Sequence, residues 1–331
     1  MERLTGMKLG MNPPFGKDEK YILVTGGAGF IGANLCRELL SRGERVYCLD
    51  SLYLSDDSNI KELYDNKNFR FINISIINPI VKEFVNVKAI YHLACPASPP
   101  RYQKNPIFTI KTCIHGTLNA LEIAQNNRCP ILFTSTSEIY GDPLVSPQSE
   151  TYNGNVNTQC IRSCYDEGKR MAETILFEYN RLFTVDIKVV RIFNTYGPYM
   201  DPTDGRVVSN FICQCINNED ITIYGDGKQT RSLCYVTDLV EGLIKFMNST
   251  EHGPINMGNP NELTIKDLAM KIKKLSNSKS GISYYPIPQG DPKIRCPDIY
   301  KAKTKLKWKP KIDLDKGLSL TIKYYKVLLH K

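Results

Sequence analysis

The stretch YILVTGGAGFIG, residues 21–32, decides the fold. It begins with the apolar run Tyr21–Thr25, which is typical of a strand buried on both faces of a parallel sheet. Glycines follow at Gly26, Gly29 and Gly32, and apolar residues at helical spacing continue to residue 42. A glycine turn between a strand and a helix lets the backbone approach a pyrophosphate, and the helix N-terminus favours the negative charge. The stretch therefore predicts a dinucleotide-binding unit, and a plain strand-to-helix turn is the alternative.

Asp50 indicates which dinucleotide to expect. It ends a second predicted strand, residues 45–49, and follows the glycine turn by about 20 residues, the spacing typical of the ribose-binding acid. A carboxylate at this point accepts hydrogen bonds from both ribose hydroxyls and repels a 2′-phosphate. We therefore expect the cofactor to be NAD rather than NADP.

The rest of the chain predicts an α/β fold with a Rossmann-type doubly wound parallel sheet and a smaller C-terminal substrate-binding domain. Further strands are expected at residues 69–74, 89–93, 131–134 and 187–192, and helices at residues 106–125 and 165–181. The alternation weakens after about residue 194, where proline and glycine become frequent. The predicted parts are a flexible N-terminal tail (1–19), an NAD-binding domain (20–193, with a return around 234–258) and a substrate-binding domain (194–233 and 259–331).

Composition is that of an ordinary globular protein. The 331 residues are 42% hydrophobic and 23% charged, with a net charge of +9. We interpret the lysines of residues 301–311 as a solvated surface rather than a nucleic-acid site. No apolar run approaches the roughly 20 residues that span a bilayer, so we expect a soluble, cytoplasmic protein that binds no membrane.

Cysteine spacing argues against a metal site. Eleven cysteines are spread thinly over the chain, and the close pairs Cys160/Cys164 and Cys213/Cys215 have no His or Cys partners at zinc-like spacing. We expect reduced, mostly buried thiols and no metal.

Tyr165 and Lys169 are the candidate catalytic pair. Residues four apart share a face of a helix, and an ammonium beside a phenol lowers the pKa of the phenol. Tyr165 could then take a proton from a substrate hydroxyl. Thr136 and Glu138 follow the predicted strand 131–134, so they belong at the carboxyl edge of the sheet, where ligands bind. A Tyr-x-x-x-Lys pair on a helix surface and a polar turn are the alternatives without function.

Longer motifs extend the pattern. They are HLACPASP (92–99), TSE (136–138), RSCYDEGKR (162–170), RIFNTYGP (191–198), DGRVVSNF (204–211), YGDGKQTRS (224–232) and DPKIRCPD (291–298). Together they resemble the UDP-glucuronic acid decarboxylase (UDP-xylose synthase) family of the extended short-chain dehydrogenases/reductases, over about residues 21–317.

The resemblance implies an NAD-dependent carboxy-lyase. UDP-glucuronate would be oxidised at C4 and would lose CO2 from the resulting β-keto acid. The hydride would then return to the UDP-4-keto intermediate, giving UDP-xylose with no net redox change. A homodimer is also implied, through a helix pair that includes the Tyr165 helix.

The resemblance also implies roles for individual residues. The catalytic residues would be Thr136, Glu138, Tyr165, Lys169 and Arg231. NAD would be held by Gly26, Gly29, Phe30, Ile31, Gly32, Asp50, Ser51, Leu93, Ala94, Thr112, Tyr165 and Lys169. The nucleotide sugar would be held by Tyr102, Ser137, Asn194, Arg206, Val208, Ser209, Tyr224, Gln229, Arg231 and Arg295.

Three positions depart from the family pattern. Ser75 replaces an aspartate that contacts adenine, Cys113 replaces an asparagine, and Ser55 replaces a glycine. All three bear on NAD binding and none on the reacting groups.

Other functions remain open at this point. A nucleotide-sugar 4,6-dehydratase would carry Thr-Asp-Glu where this chain has Thr136-Ser137-Glu138, and serine is a poor general acid. A 4-epimerase would not need Glu138 and Arg231 at a carboxylate. A non-catalytic NAD- or RNA-binding relative is suggested by the net charge, but such a protein would have no need of Tyr165 and Lys169.

Overall fold

The computed structural model describes residues 8–9, 14–16, 18–54, 56–286 and 294–329. Its largest element is an eight-stranded sheet. The strands of the chain are β1 (Lys8–Leu9), β2 (Tyr21–Thr25), β3 (Val46–Asp50), β4 (Phe69–Asn73), β5 (Val87–His92), β6 (Ile131–Thr136), β7 (Ile187–Ile192), β8 (Thr195–Tyr196), β9 (Ile221–Tyr224), β10 (Thr230–Ser232), β11 (Cys234–Tyr235), β12 (Ile255–Met257), β13 (Glu262–Thr264) and β14 (Ile282–Tyr285).

The helices surround this sheet and build the second domain. They are α1 (Phe30–Ser41), α2 (Pro99–Lys104), α3 (Pro106–Lys111), α4 (Thr117–Asn127), α5 (Ser163–Phe183), α6 (Val207–Asn217), α7 (Val236–Met247), α8 (Ile265–Ser276), α9 (Tyr300–Lys305) and α10 (Leu314–Leu329).

The strand order in the large sheet is β1-β4-β3-β2-β5-β6-β7-β12. Every neighbouring pair is parallel except β1 with β4. One apolar layer joins the sheet to α1, α7 and α9, and another joins it to α4 and α5. Helices on both faces of a parallel sheet make a doubly wound fold, so the predicted fold class is confirmed.

The order of strands reverses at β2, which lies between β3 and β5. Open α/β sheets bind ligands outside the carboxyl ends of the strands at such a reversal. The strands that end here carry Thr25, Asp50, His92 and Thr136 as their last residues.

A separate apolar core holds the smaller domain together. It joins α6, α8 and α10 to β9 and includes Phe211, Leu268 and Tyr325, all buried. The return of the chain to the large sheet falls within residues 234–258: α7 packs on α1, and β12 pairs with β7.

Two local features differ from the sequence expectations. The expected tail contains β1, which pairs with the otherwise open edge of β4. The expected helix 106–125 is interrupted, because a π-helical turn at Thr112–Gly116 separates α3 from α4. Gly116 lies in that turn against Ile76, where an added Cβ would come within 2.9 Å of the Ile76 side chain.

In the part of the chain that the structure describes, no helix is long and apolar enough to cross a membrane. The same residues contain no group of three His, Cys, Asp or Glu side chains placed to hold a metal ion.

The glycine turn packs too tightly for any larger residue. Gly26 has φ +71°, and a Cβ there would lie 2.7 Å from the backbone nitrogen of Ala94. A Cβ on Gly32 would lie 2.2 Å from the carbonyl oxygen of Gly26. Gly26 therefore makes the turn and the close approach to the loop after β5, while Gly32 lets α1 pack on the turn.

We expect Gly32→Ala to lower the free energy of unfolding by about 1–3 kcal/mol, because the methyl group must displace backbone atoms. It should also lower the content of NAD in the purified protein. Gly16→Ala is the matched control, since its Cβ would meet no atom closer than 3.4 Å. Urea denaturation and cofactor content measure both effects, and an unchanged Gly32→Ala protein would contradict this account of the turn.

Candidate active site

A cavity of about 1480 Å³ opens at the carboxyl ends of β2, β3, β5 and β6 and extends to the smaller domain. The predicted cofactor and catalytic residues all line it, and so do nine of the ten predicted substrate residues. Ser209 is the exception: it is fully buried, and its hydroxyl donates a hydrogen bond to the carbonyl oxygen of Arg206 at 2.8 Å. Ser209 therefore faces the core of its domain rather than the cavity.

One end of the cavity fits a dinucleotide. The Asp50 carboxylate accepts hydrogen bonds from the backbone N–H groups of Ala28 at 3.1 Å and Leu52 at 3.0 Å. Burial raises the pKa of Asp50, and these hydrogen bonds oppose the rise. Among the described residues no side chain caps the N-terminus of α1, whose first turn also carries no acid. NAD would thus find a carboxylate for its ribose and free N–H groups for its phosphates.

Tyr165 lines the cavity from the first turn of α5. Its ring stacks on that of Tyr102, with centroids 5.0 Å apart and planes within 6°. Burial raises the pKa of the Tyr165 phenol well above its ordinary value, and a hydrogen bond with Thr136 opposes the rise. The structure thus differs from the sequence expectation in one respect: burial acts against the lowering of the Tyr165 pKa by the lysine.

The position of Lys169 explains this difference. Its ammonium donates a hydrogen bond to the carbonyl oxygen of Thr134 at 2.7 Å and lies 4.5 Å from the Phe133 ring centroid. It is 6.0 Å from the ring centroid of Tyr165. The charge is thus anchored to β6, and its effect on the phenol is smaller than that of burial.

Glu138 belongs to a buried cluster of three charges. Arg162 and Arg295 both donate to the same Glu138 oxygen, Arg295 at 3.0 Å. Arg295 also donates to the carbonyl oxygen of Gly141 at 2.7 Å. Burial alone would raise the pKa of Glu138, but the two guanidinium groups outweigh it and lower the pKa to about 2. Glu138 is therefore a permanent anion at neutral pH.

Sequence reasoning missed Arg162 and the link from Glu138 to Arg295. Arg162 stands in the motif RSCYDEGKR, three residues before Tyr165, so its place near the active site could have been inferred. Its pairing with Glu138 could not, because the two lie on different elements. The structure also brings Asp166 near this cluster, where burial raises the pKa of its carboxyl to about 7.

A buried network of polar side chains links β6, which ends at Thr136, to the neighbouring strands and to α5. Glu173 on α5 accepts hydrogen bonds from Ser135 and from the guanidinium of Arg191, at 2.8 Å for the closest Arg191 contact. Arg191 donates in turn to the Tyr140 hydroxyl at 3.0 Å, and Tyr140 donates to Asn256 at 2.8 Å. The network fixes β6, β7, α5 and β12 relative to one another.

The far end of the cavity carries the other predicted substrate residues. Arg206 donates to the carbonyl oxygen of Ala97 at 2.6 Å. Arg231 lies on β10, and its guanidinium donates to the carbonyl oxygen of Thr230 at 2.8 Å. Tyr224 is 44% exposed, so its ring is accessible to a ligand in the cavity.

The three departures from the family pattern have different outcomes. Ser75 lines the cavity, as expected of a residue near the adenine. Cys113 lies in the π-helical turn and approaches Cys95, with the sulfurs 3.3 Å apart. Ser55 lies outside the described residues. All eleven cysteines are free thiols, and seven of them are buried.

The fold and the site define a class of protein. The sequence profile of the NAD dependent epimerase/dehydratase family matches residues 22–258, and the chain belongs to this family.

Particular relatives are also similar. UDP-glucuronic acid decarboxylase 1 of Arabidopsis thaliana is 50% identical over 303 residues, which covers 92% of this chain and 69% of the plant protein. UDP-glucuronic acid decarboxylase 1 of Danio rerio is 48% identical over 309 residues, covering 93% and 73%. The crystal structure of UDP-glucuronic acid 4-epimerase from Bacillus cereus, in complex with UDP-glucuronic acid and NAD, superposes with a TM-score of 0.85 at 29% identity, covering 93% and 99%. The predicted family and cofactor are thereby confirmed.

We expect the ionised Glu138 to stabilise the fold in a pH-dependent way. Its pKa falls from the ordinary 4.5 to about 2, so the contribution is complete above pH of about 4.5 and is lost as the pH falls towards about 2. The difference in unfolding free energy between wild type and Glu138→Gln should therefore shrink over this window, as urea denaturation at a series of pH values would measure.

Glu167→Gln is the control. Unlike Glu138, this residue lies at the surface: its side chain is 38% exposed and its pair with Arg170 is long, at 3.6 Å. Surface pairs of this kind contribute little. A difference for Glu138→Gln that stays constant on acidification would show that the two arginines do not hold the carboxylate ionised.

Proposed function

We propose that this protein decarboxylates UDP-glucuronate to UDP-xylose through a UDP-4-keto intermediate, using tightly bound NAD without net redox change. One observation carries the proposal: the Glu138–Arg162–Arg295 cluster lies in the same cavity as Thr136, Tyr165 and Lys169. A sugar whose 4-hydroxyl meets the tyrosine can then place a carboxylate near the arginines. The names of the similar plant and fish proteins support the same reaction.

The position of each catalytic residue determines its role in the reaction. Thr136 already holds a hydrogen bond with the Tyr165 phenol, and the pair receives the sugar 4-hydroxyl and its proton. Lys169 keeps a positive charge close to the phenol through its anchor on Thr134, and this charge favours the phenolate. Bound NAD supplies the hydride acceptor and donor for the sugar C4 carbon.

The charged cluster suits the loss of CO2. Two guanidinium groups against one carboxylate leave one net positive charge in a buried site. With the pKa of Asp166 raised to about 7 by burial, its carboxyl does not cancel this charge in mildly acidic solution. The positive charge attracts the C5 carboxylate of the substrate and then stabilises the enolate that remains when the C–C bond breaks. Arginine forks match both oxygens of a carboxylate.

Dehydration and epimerisation are the alternatives from the same family. A dehydratase needs an acid to expel the C6 hydroxyl, and this chain places the poorly acidic Ser137 beside Thr136 in the cavity. A 4-epimerase that acts on UDP-glucuronate would also bind the C5 carboxylate, so the positive cluster supports a sugar acid as substrate for either reaction. Decarboxylation is favoured by the 48–50% identity to UDP-glucuronic acid decarboxylases.

The deciding experiment is incubation with UDP-glucuronate and no added NAD. We expect CO2 and UDP-xylose by mass spectrometry, with no accumulation of free reduced cofactor. Formation of UDP-galacturonate without CO2 would refute the proposal in favour of an epimerase.

Tyr165→Phe tests the assigned base in the same assay. We expect turnover to fall by about 10²–10⁴-fold, the usual contribution of general acid–base catalysis, while NAD content stays unchanged. Tyr179→Phe is the matched control, because Tyr179 lies on the same helix and does not line the cavity. Full activity of Tyr165→Phe would rule out this tyrosine as the base.

We further propose that the protein is a homodimer, as the family resemblance implies, and that α5 and α3 form its interface. Met171 on α5 is 50% exposed and Ile107 on α3 is 60% exposed, so these helices present apolar side chains to the surface. The cytoplasmic location expected from the sequence remains a prediction.

Light scattering after size exclusion tests the dimer. We expect a mass of twice 37.6 kDa for wild type and a shift towards 37.6 kDa for Met171→Glu, since a charge would be buried in the interface. Met270→Glu on α8 is the control, because Met270 has the same 50% exposure on a different face. A wild-type monomer, or a Met270→Glu variant that dissociates equally, would contradict the proposed interface.

A further inference from the structure

Two cysteine thiols meet beside the catalytic pair. Cys95 follows β5 on the loop that lines the cavity, and Cys113 lies in the π-helical turn between α3 and α4. Their sulfur atoms are 3.3 Å apart. Cys113 stands where the family resemblance leads us to expect asparagine, so the pair is a feature of this chain.

We propose that Cys95 and Cys113 form a reversible disulfide when a hydroperoxide oxidises the protein, and that this disulfide switches the active site off. The two sulfurs already lie close enough to bond after a movement of little more than 1 Å, since a disulfide bond is about 2.05 Å long. Transient disulfides in otherwise reduced proteins commonly serve as redox sensors.

The two thiols differ in pKa. One suits nucleophilic attack on a peroxide, and the other suits the later attack that forms the disulfide. Burial alone would raise the pKa of Cys95, but a hydrogen bond from Cys113 and the charge of Lys169 lower it below its ordinary value. The hydrogen bond to Cys95 and burial together raise the pKa of Cys113 well above its ordinary value. Cys95 is therefore the more nucleophilic thiolate, and Cys113 keeps its proton until it is needed.

The oxidation balances with one hydroperoxide. The Cys95 thiolate attacks a peroxide oxygen, the O–O bond breaks, and the leaving oxygen takes up a proton to give an alcohol or water. This leaves a sulfenic acid on Cys95. The Cys113 sulfur then attacks the Cys95 sulfur, the S–O bond breaks, and the hydroxyl leaves as water with the Cys113 proton. Two thiols lose two electrons, and the peroxide gains them.

The disulfide would disturb two parts of the active site, the glycine turn and helix α5. Cys95 adjoins Ala94, whose backbone packs on Gly26 of the glycine turn. Cys113 packs on α5 at Gly168, where an added Cβ would lie 3.1 Å from the Cys113 sulfur. Drawing the sulfurs together therefore shifts either the cofactor turn or the helix that carries Tyr165 and Lys169. Displacements of about 1 Å in an active site can cost about 10²-fold in rate.

Another cysteine pair provides a comparison within the same molecule. Cys36 and Cys48 are also neighbours, but both are completely buried in the core between α1 and β3. Burial raises the pKa of Cys48 well above its ordinary value. This pair has no lysine beside it and no access to the cavity among the described residues, so we expect it to stay reduced.

Mass spectrometry of the purified holoprotein treated with hydrogen peroxide tests the proposal. We expect a peptide cross-link between Cys95 and Cys113 that dithiothreitol removes, together with a fall in turnover of about tenfold or more that recovers with the thiol. The fall in turnover rests on the proposed decarboxylase function, whereas the cross-link does not. A cross-link without UDP-xylose synthase activity at any stage would thus refute only the function.

Variants separate the two cysteines. Cys113→Ser should form no cross-link, and the sulfenic acid on Cys95 should persist long enough for dimedone to label it. Cys113→Asn is a second variant that restores the residue typical of the family. It should likewise form no cross-link and leave Cys95 open to labelling by dimedone. Cys36→Ala should cross-link as wild type does. Absence of the cross-link in wild type, a link from Cys95 to Cys164 instead, or full turnover in the cross-linked protein would overturn the proposal.

Discussion

The contact of Gly26 with the backbone of Ala94 governs the layout of the whole site. It holds the cofactor turn after β2 against the loop after β5, where an extra carbon would have no room. The same turn receives α1 through Gly32 and lies within hydrogen-bonding reach of Asp50 through Ala28. The loop after β5, helix α1 and Asp50 thus all contact the backbone of the glycine turn. These contacts determine the shape of the cavity at the cofactor end.

Electrostatics inside the cavity follow from where charges are anchored. Lys169 is held by the carbonyl oxygen of Thr134, and Glu138 is held by two arginines from different parts of the chain. Burial alone would raise the pKa of Glu138, and the two arginines outweigh that effect. Because each charged group has a fixed partner, the site holds positive charge at two points: the Lys169 ammonium beside the phenol and the net positive Glu138–Arg162–Arg295 cluster elsewhere in the cavity. A nucleotide sugar acid is complementary to that arrangement.

The sequence was enough to predict what depends on local pattern. Apolar runs and the glycine turn located the strands from β2 to β7 within a few residues, and Tyr165 and Lys169 fell on one helix face as their spacing predicts. Features that depend on contacts across the fold were not predictable. The raised pKa of Tyr165 comes from burial that no spacing reveals, and the π-helical turn at Thr112–Gly116 breaks a pattern that reads as one helix. The inward orientation of the Ser209 side chain could not be predicted, because a helix motif does not say which of its faces is inside.

The closing strand of the sheet has a consequence for how the protein matures. β12 comes from residues 255–257, yet it completes the edge beside β7 and supplies Asn256 to the buried chain that ends at Glu173. Until residues 255–257 have been synthesised, Arg191 and Tyr140 lack Asn256, the last partner of this network in the folded protein. The cofactor domain therefore cannot finish folding as an independent N-terminal unit during synthesis, and its final assembly waits for the chain to enter the second domain and come back.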